Sequence, residues 1–481
     1  MSQPKEKMSE IDEHIMRRFD IQKRLGKGAY GIVWKAIDRR SREVVAVKKI
    51  FDAFRNQTDA QRTFREIMFL QSFKAHPNIV KLHSLHRAAN NRDIYLGFEY
   101  METDLHNVIK RGNILKDVHK RYIMYQLLKA LKYIHSGNVI HRDLKPSNVL
   151  LDSLCRCKIA DFGLARLLTQ GSDQSIGSDS DPTLTDYVAT RWYRAPEILI
   201  ANRRYTKGID MWSIGCILAE MCMGKPIFPG TSTVNQVEKI MSSIPTPTTD
   251  DISLICSTGI GSSMIKNAAS TQKIPLRSIL GQGIPEDAVN LLNKLLIFNP
   301  NKRLTAEEAL EHGYVSKFHD PNQEIILCSN VVIPFNDDVR LSVDDYRNKL
   351  YELMTNHRVS SRTKPKLQTS EVNPRNGRSA EKNIKNHTKI HEKIQCESKM
   401  SFQKPVLNKL DFKSGPRHKN VILPTTNLRK SNGLDCRTQV RTNSDVPKKA
   451  PIKLATCSMY SQSYGVITQN ALMELRAAGL R

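Results

Sequence analysis

Apolar residues in the first hundred positions recur in short runs that predict strands. Two such runs, at 33–36 and 43–48, are bounded by glycine-rich or polar turns. Residues 20–50 are therefore predicted to alternate between strand and turn. A further apolar run, Ile94–Phe98, predicts a buried strand that leads into a connector at 99–101.

Longer segments carry apolar residues at helical spacing. The clearest is Val118–Ser136, where the apolar positions lie on one helix face at 123, 127, 128, 131 and 134. Three other segments predict helices: 61–68, 210–223 and 341–354. The chain therefore begins with strands and continues mainly with helices.

The charge of the chain is unevenly distributed. Of the net charge of +26, residues 361–481 supply +16, from 24 Lys and Arg against 8 Asp and Glu. Residues 360–460 are also poor in aromatics, so we expect a disordered basic extension. Its charge suits acidic proteins or anionic membranes. Because Arg-Gly repeats and interleaved aromatics are missing, nucleic acid is not the expected partner.

The cysteines and the N-terminus indicate a reducing, intracellular compartment. The nine cysteines are odd in number and include no Cys-x-x-Cys pair, so neither a disulfide framework nor a zinc site is predicted. Residues 1–19 are charged and lack the apolar core of a signal peptide. No apolar run approaches the roughly 18 residues that predict a membrane span.

Three groups suited to phosphoryl transfer occur in one short window, His141–Asn148 followed by an Asp-Phe-Gly that begins at Asp161. In this spacing Asp143 can accept a hydroxyl proton, while Asn148 and Asp161 offer oxygen ligands for magnesium. Lys145 follows the base by two residues, within reach of a transferring phosphate. A chance polar loop is a poor explanation for this combination.

A glycine-rich turn lies upstream, where Gly26–Val33 reads Gly-x-Gly-x-x-Gly-x-Val. Such a turn lets backbone N–H groups approach phosphates. A dinucleotide-binding loop would need a helix directly afterwards, but the chain continues as a strand. Lys48, in the next apolar run, is then the expected phosphate contact. A buried lysine needs a partner, and Glu66 on the predicted helix is the candidate.

These motifs resemble those of protein kinases, and the Lys-Pro-Ser-Asn that ends the first window resembles serine/threonine kinases. The resemblance covers about residues 15–355 and implies an α+β class, bilobal kinase fold with a small antiparallel β lobe and a mainly helical large lobe. The implied divisions are an N-terminal tail at 1–18, the small lobe at 19–103, the large lobe at 104–318 with an insert at 245–285, a post-lobe segment packed on the kinase at 319–359, and the extension at 360–481.

The resemblance also implies ATP and Mg²⁺ as cofactors, bound between the lobes. Phe98 would close the back of the nucleotide pocket, and the hinge would lie near Glu99–Thr103. The implied catalytic residues are Lys48, Glu66, Asp143 and Lys145, with Asn148 and Asp161 as metal ligands. The implied nucleotide contacts are Leu25, Gly26, Lys27, Gly28, Ala29, Tyr30, Gly31, Ile32, Val33, Ala46, Lys48, Glu99, Met101, Asp104 and Leu150.

Two hydroxyls separated by one residue, Thr185 and Tyr187, precede Val188–Arg194. This arrangement resembles the mitogen-activated protein kinases, which implies activation by phosphorylation of both hydroxyls and substrates with Pro after the acceptor. A phosphate on Thr185 would need an arginine cluster. The positions implied for it are Arg62, Arg65, Arg142 and Arg166, with Arg191 and Arg194 facing Tyr187. Structural roles are implied for Asp210, as a brace of the catalytic loop, and for a Glu197–Arg303 pair.

Within that family, Phe228–Thr233, Ile244–Pro247 and the basic extension are most similar to the atypical mitogen-activated protein kinase 15 (extracellular-signal-regulated kinase 7/8) subgroup. The acidic docking site of conventional members reads Asp320–Glu324 here, with Gln at position 323 where an acid is usual. Basic docking peptides should therefore bind it less well. We hypothesise that the chain phosphorylates its own Thr185 and Tyr187, as subgroup members are thought to do.

Three alternatives stay open. A pseudokinase requires a broken catalytic set, whereas this set is complete. A cyclin-dependent kinase is disfavoured because no cyclin-binding helix sequence surrounds Glu66. In the third, the extension acts as a centrosomal, ciliary or autophagy scaffold with weak kinase activity, through partners of residues 351–481. Tyr351–Met354 fits an autophagy-adaptor motif, although a packed helix is the preferred interpretation. The expected locations are the cytoplasm, nucleus, centrosome or cilium base.

Overall fold

The computed structural model describes residues 11–28, 30–112, 114–168, 191–200, 205–256, 259–269, 272–334 and 341–362. Its first part is a five-stranded antiparallel sheet, in which the fifth strand of the chain lies between the third and the fourth. The strands are Phe19–Gly28 (β1), Gly31–Asp38 (β2), Val44–Ile50 (β3), Leu82–Arg87 (β4) and Ile94–Glu99 (β5). The strands predicted at 33–36, 43–48 and 94–98 are thereby confirmed.

The two faces of this sheet are covered differently. A short helix, Glu13–Arg18 (α1), lies on the outer face, where Ile15 is fully buried with Trp34 and Tyr95 in a separate small core. The inner face packs on the helix Gln57–Ser72 (α2) and joins the main core. Because side chains alternate along a strand, neighbouring residues of one strand serve the two cores.

Helix α2 begins where the side chain of Asn56 accepts a hydrogen bond from the Asp59 N–H, 2.8 Å away, which satisfies one of the free donors of its first turn. Phe64 and Ile67 are buried at helical spacing, as predicted. Glu66 is only 5% exposed, so a carboxylate is carried into the interior beside β3. A charge buried in this way requires a partner.

The remainder of the described chain is mostly helical, which confirms the α+β class. Its helices are Leu105–Lys110 (α3), Asp117–Ser136 (α4), Pro196–Leu199 (α5), Gly208–Met223 (α6), Thr233–Met241 (α7), Thr249–Ile255 (α8), Gly259–Ala269 (α9), Leu276–Leu280 (α10), Glu286–Leu295 (α11), Ala306–Leu310 (α12) and Val343–Arg362 (α13). Two- and three-residue strands frame the loops between them: Thr103–Asp104 (β6), Val139–Ile140 (β7), Val149–Leu151 (β8), Cys157–Ile159 (β9) and Arg166–Leu167 (β10). Within the described ranges, every helix is too short or too polar to cross a bilayer.

Helix α6 is buried on all sides, with each residue from Ile209 to Met221 in the interior. Such a helix belongs at the centre of a core. Gly215 allows close packing there, since a Cβ at this position would lie 2.8 Å from a methyl group of Leu296. The helix therefore provides a rigid base for the loops that carry the chemistry.

The helix predicted at 341–354 is present as α13 and packs against α2. The ring of Tyr346 lies 5.5 Å from that of Phe64, and Leu350 is fully buried. Tyr351 packs edge-on against Phe54, and Met354 is buried, so the four-residue motif is helical and packed. An adaptor motif of this kind binds as an added strand. The described conformation therefore favours the packed-helix interpretation.

Candidate functional site

The loop 141–148 lies between the short strands β7 and β8, and its last residues form a 3₁₀ turn, Pro146–Asn148. The carboxylate of Asp143 accepts hydrogen bonds from Lys145 Nζ at 2.7 Å and from Asn148 Nδ2 at 3.1 Å. Asn148 Nδ2 also donates to the carbonyl of Asp143 at 2.8 Å. Three of the predicted residues thus meet at one carboxylate, whose orientation is held by two neighbours.

Asp210 fixes the start of this loop from helix α6. Its two carboxylate oxygens accept the backbone N–H groups of His141 and Arg142 at 2.8 and 2.9 Å, and it also contacts His135 Nε2 at 3.0 Å. Burial alone would raise the pKa of Asp210, but the hydrogen bond and charge of His135 outweigh it and lower the pKa. Arg142 has φ of 69°, which costs energy in a non-glycine residue. The buried carboxylate offsets that strain, as expected for a brace.

Lys48 and Glu66 form the predicted pair. Lys48 Nζ lies 2.9 Å from Glu66 Oε1, across the contact between β3 and α2. Burial would lower the pKa of Lys48, but the charges of Glu66 and Asp161 outweigh it and raise the pKa. The ammonium group is therefore charged and held by Glu66, and it feels the charge of Asp161.

Asp161 is half-buried, lies among cations and has φ of 65°. Burial would raise its pKa, but the positive charges of Arg62, Lys48 and Lys145 hold the pKa well below its usual range. A permanently ionised carboxylate suits a hard divalent cation. The amide nitrogen of Asn148 is directed at Asp143, which turns the amide oxygen away from that residue. The two side chains therefore fit a metal that prefers oxygen ligands.

The glycine-rich turn is the hairpin between β1 and β2, in which Gly28 pairs with Gly31. A Cβ at Gly31 would collide with the backbone carbonyl of Lys49, so only glycine fits there. Tyr30 is anchored by its carbonyl, which accepts from Phe51 N at 3.0 Å. Ala29, at the tip, is outside the described residues.

The other predicted nucleotide contacts divide between the two faces of the sheet. Five apolar ones are buried in the main core together with Phe98: Leu25, Val33, Ala46, Met101 and Leu150. In contrast, Ile32 belongs to the outer core beneath α1. Any contact from Ile32 to a ligand in the cleft therefore comes from its backbone. Among the hairpin residues, Lys27 is exposed and Gly26 is half-buried opposite Val33.

The two acidic residues near the hinge are both engaged in local structure. Glu99 Oε1 lies 3.0 Å from Lys158 Nζ and accepts from Lys81 N at 2.7 Å. Asp104 caps α3 by accepting hydrogen bonds from the backbone and side-chain nitrogens of Asn107 at 2.9 and 2.6 Å. Burial raises the pKa of Asp104 to about 7. A charged group that approaches the hinge would therefore change the protonation of Asp104 near neutral pH.

The arginines predicted to bind the two phosphates occupy separate environments. Arg62 points at Asp161, with 3.8 Å between Nη2 and Oδ2. Arg65 is buried, and the guanidinium of Arg142 lies 4.3 Å from the ring centre of Tyr205. Arg166 donates to the carbonyl of Ala165 at 3.1 Å. Thr185 and Tyr187, whose phosphates these arginines were predicted to bind, lie outside the described residues.

The segment that follows them is attached to the large lobe by several contacts. Arg191 donates to the carbonyl of Thr231 at 3.2 Å, and Trp192 Nε1 donates to the carbonyl of Gly230 at 3.0 Å. Half-buried Arg194 closes the 3₁₀ turn, its N–H donating to the carbonyl of Arg191 at 3.1 Å. The turn at 191–193 is therefore positioned by the loop before α7.

Glu197 and Arg303 form a fully buried bidentate ion pair, with both N–O distances at 2.7 Å. Arg303 also donates to three backbone carbonyls, those of Ile297, Gly208 and Phe298. Every guanidinium nitrogen therefore has an acceptor, which is the condition under which a buried pair is tolerated.

Two features of this region have no local signal in the sequence. Tyr193 donates to Glu220 Oε2 at 2.6 Å, although the two residues are 27 positions apart. Glu324, in the segment compared above with an acidic docking site, points inward, where its carboxylate contacts Lys132 at 3.1 Å and His319 at 2.7 Å. The first contact depends on the position of Glu220 on α6 and the second on that of Lys132 on α4, which spacing along the chain does not reveal.

Comparisons with known proteins agree with this geometry. Residues 19–315 match the protein kinase domain. The chain is 63% identical over 353 residues to mitogen-activated protein kinase 15 of Xenopus laevis, covering 73% of this chain and 59% of that protein. It is 56% identical over 365 residues to mitogen-activated protein kinase 15 of Caenorhabditis elegans, covering 76% of each. It is 57% identical over 351 residues to extracellular signal-regulated kinase 7 of Drosophila melanogaster, covering 72% of this chain and 38% of that protein.

The matched region spans less than two thirds of the frog and fly relatives but three quarters of the worm protein. The resemblance first drawn from the Asp143, Asp161 and Thr185–Tyr187 motifs is thus supported over most of the chain. A kinase domain implies ATP and a divalent metal in general terms. The chain belongs to the protein kinase family and, within it, to the mitogen-activated protein kinases.

Proposed function

We propose that this chain is a serine/threonine protein kinase of the mitogen-activated type, which transfers the γ-phosphate of ATP to serine or threonine hydroxyls of proteins. The observation that carries the proposal is the partly buried ion pair between Lys48 and Glu66, with 2.9 Å between Nζ and Oε1. In kinases this pair must be in place for activity, because the lysine then meets the nucleotide phosphates. In this structure the pair is present together with the hydrogen-bonded loop around Asp143.

Asp143 is the proposed general base, which accepts the proton of the substrate hydroxyl. Lys145 and Asn148 hold its carboxylate in orientation by hydrogen bonds of 2.7 and 3.1 Å. Magnesium is the metal that we propose for Asn148 and Asp161, where it would neutralise charge on the phosphates. Lys48 and Lys145 add fixed positive charge at the same place. Rate enhancement then comes mainly from positioning and electrostatics.

For nucleotide binding we propose that the backbone of the Gly26–Val33 hairpin contacts the phosphates. The adenine ring would lie against Ala46, Met101 and Leu150, which are buried where the two lobes meet. The backbone near Glu99 and Met101 would hydrogen-bond the ring, and Asp104 would face the ribose. The Trp192 region would select substrates with proline after the acceptor residue, as the family resemblance implies.

We infer that phosphorylation of Thr185 and Tyr187 switches the enzyme, and that the chain performs this modification itself. The inward orientation of Glu324 supports this view, because it removes one carboxylate from the surface on which a basic docking peptide would bind. Gln323 replaces a second acid there. Conventional activation by a docked upstream kinase is correspondingly weakened. Phosphate on Thr185 would then be held by Arg62, Arg65, Arg142 and Arg166.

Expression in bacteria tests this proposal, because no upstream kinase of this type is present there. We expect mass spectrometry to find phosphate on Thr185 and Tyr187 of the parent chain and none on Asp143→Ala. Activity that appears only after an upstream kinase is added would contradict self-activation. A parent chain that phosphorylates neither itself nor a Ser-Pro or Thr-Pro peptide under any condition would contradict the kinase proposal.

The scaffold alternative is favoured only by the concentration of positive charge in residues 361–481. A scaffold role through partners at the centrosome, the cilium base or autophagy membranes would persist in the full chain carrying Asp143→Ala. Comparing the localisation and phenotype of that variant with those of the parent therefore separates the two roles. Loss of both with Asp143→Ala would exclude a scaffold that acts independently of catalysis.

A further inference from the structure

Arg62 lies against the Asp-Phe-Gly loop, although the family resemblance assigns it to a phosphate cluster. Its Nη2 lies 3.8 Å from Asp161 Oδ2, and its guanidinium carbon lies 5.4 Å from the ring centre of Tyr30. The side chain is about one third exposed, at 32%, so it is neither free in solvent nor locked in the core. One residue thus bridges helix α2, the glycine hairpin and the predicted metal loop.

Close packing against Gly163 holds Arg62 in this place. A Cβ at Gly163 would lie 2.7 Å from Arg62 Nε and 2.9 Å from its Cγ, so the arginine stem lies directly on the glycine backbone. The N–H of Gly163 also approaches Asp161 Oδ1 at 3.4 Å. The Asp-Phe-Gly loop and Arg62 therefore have complementary shapes, and the contact is more specific than a passing surface charge.

Electrostatics reinforce the contact. The negative charges of Asp161, Asp143 and Glu66 all attract the Arg62 guanidinium group. Arg62 also lies one helical turn before Glu66, on the same face of α2. The same placement of helix α2 therefore allows both contacts, Glu66 with Lys48 and Arg62 with Asp161. An intact Lys48–Glu66 pair does not release this arginine.

We propose that Arg62 inhibits the unphosphorylated chain by occupying the metal-binding carboxylate of Asp161, and that phosphate on Thr185 removes it. A monocation paired with Asp161 opposes a divalent cation at the same carboxylate, because the two compete for its charge and its oxygen lone pairs. A phosphate carries more charge than a carboxylate and binds guanidinium groups bidentately. Arg62 would therefore exchange one anion for another. This inference rests on the proposed function, which supplies both the metal and the phosphorylation.

Metal affinity, measured apart from catalysis, tests the first step. The full chain carrying Thr185→Ala and Tyr187→Phe, which prevents phosphorylation there, is titrated with Mn²⁺ in the presence of a non-hydrolysable ATP analogue, and bound metal is followed by electron paramagnetic resonance. We expect Arg62→Gln to tighten Mn²⁺ binding by about tenfold, within the usual range of coupling between two sites. Arg62→Ala repeats the test with a smaller side chain. Unchanged or weaker binding in both variants would overturn the proposal.

Matched controls separate this effect from a general loss of positive charge. Arg55, just before α2, is 62% exposed and pairs with Asp59, so Arg55→Gln removes the same charge outside the cleft. It should leave the Mn²⁺ affinity unchanged. Adding Asp161→Asn should abolish the gain from Arg62→Gln, and persistence of the gain would show that Arg62 acts elsewhere. Thermal melts confirm that each variant is folded.

The second step is tested with the chain phosphorylated on Thr185. We expect this form to bind Mn²⁺ as tightly as the unphosphorylated Arg62→Gln variant, and to gain nothing further from that substitution. An equal gain in both forms would show that phosphate does not withdraw Arg62, which contradicts the switch. The metal titration needs no turnover, so it tests the inhibitory contact separately from kinase activity. The Arg62 proposal can therefore be refuted while the parent chain is an active kinase, and the kinase proposal can be refuted while Arg62 still weakens metal binding.

Discussion

At the scale of single residues, the site depends on charges that the interior tolerates only in combination. Lys48 and Glu66 are both largely buried, and each offsets the cost of burying the other. The pKa of Asp210 is lowered by its hydrogen bond and electrostatic interaction with His135, and that of Asp161 is lowered by neighbouring arginine and lysine charges. Removing one member of such a set leaves an uncompensated charge, which affects chemistry and stability more than removing an exposed charge.

Glu66→Gln should lower kcat by about 100-fold, because a misplacement of about 1 Å in a positioned group has effects of this size. The amide cannot balance the charge of Lys48, whose pKa burial would then lower. Steady-state kinetics with ATP and a peptide substrate measures the loss. Glu13→Gln, which removes the exposed partner of Arg17, should have no effect. Equal losses in the two variants would contradict the assignment.

Because Glu220 is buried, we expect the free energy of unfolding to depend on pH. Burial raises its pKa from an ordinary value of 4.5 to about 7, with Tyr193 as a hydrogen-bond partner that partly opposes the shift. The folded state therefore holds this proton more tightly than the unfolded state. Its contribution to stability is fully present below the unfolded pKa and is lost as the pH rises to about 7. Above that pH the fold contains a buried carboxylate that has a neutral partner in Tyr193.

Glu220→Gln should consequently stabilise the chain at about pH 8 and have little effect at about pH 4, since glutamine resembles the protonated acid. A shift of this size corresponds to about 3 kcal/mol at most in the free energy of unfolding. Urea unfolding at the two pH values measures it. The exposed Glu286, paired with Arg277, provides Glu286→Gln as a control. A pH-independent effect of Glu220→Gln would refute the linkage.

At the scale of elements, one buried ion pair joins two short segments beside the start of helix α6. Glu197 lies in the first turn of the short helix α5, and Arg303 follows the 3₁₀ turn at 300–302. Their bidentate pair fixes α5, which follows the turn at 191–193, to Arg303, which also bonds the carbonyl of Gly208 at the start of α6. The described partners of the Glu197 carboxylate both come from Arg303, whereas Arg303 also has three backbone acceptors.

This asymmetry predicts that substitutions of the two residues have unequal effects on stability. Arg303→Met should cost about 3–5 kcal/mol of stability, because it strands a buried carboxylate. Glu197→Gln should cost less, because Arg303 retains its carbonyl acceptors. Adding Glu197→Gln to Arg303→Met should recover part of the loss, which a double-mutant cycle in urea measures. Strictly additive effects of the two substitutions would show that the pair is not coupled.

At the scale of the whole molecule, one apolar cluster extends through the inner face of the sheet and the helical part, and a second covers the outer face. The residues proposed to line the nucleotide site, such as Ala46 and Leu150, lie where the contributions of the two lobes meet in the first cluster. The helix α13 packs on α2 and ties the end of the described region to the same element that carries Arg62 and Glu66.

The sequence pattern predicted those helices and strands in which apolar residues repeat regularly over a long segment. β2, β3, β5, α2, α4 and α13 were predictable because their apolar residues repeat over a full face. Short strands such as β7 and β8 were not, since two or three residues show no period. The helix α1 was also missed, because it is six residues long and its burial depends on a sheet formed by later residues.

The sequence by itself determined the chemistry available: Asp143, Asn148 and Asp161 at defined spacing, a glycine hairpin and a lysine with a candidate partner. Spacing along the chain is sufficient where one loop holds the groups, since neighbours in sequence remain neighbours in space. Only the tertiary structure decided which distant charges meet, as with Arg62 at Asp161, Tyr193 at Glu220 and Glu324 turned inward. Those contacts depend on how helices and sheet pack, because burial selects partners by distance and dielectric rather than by position in the chain.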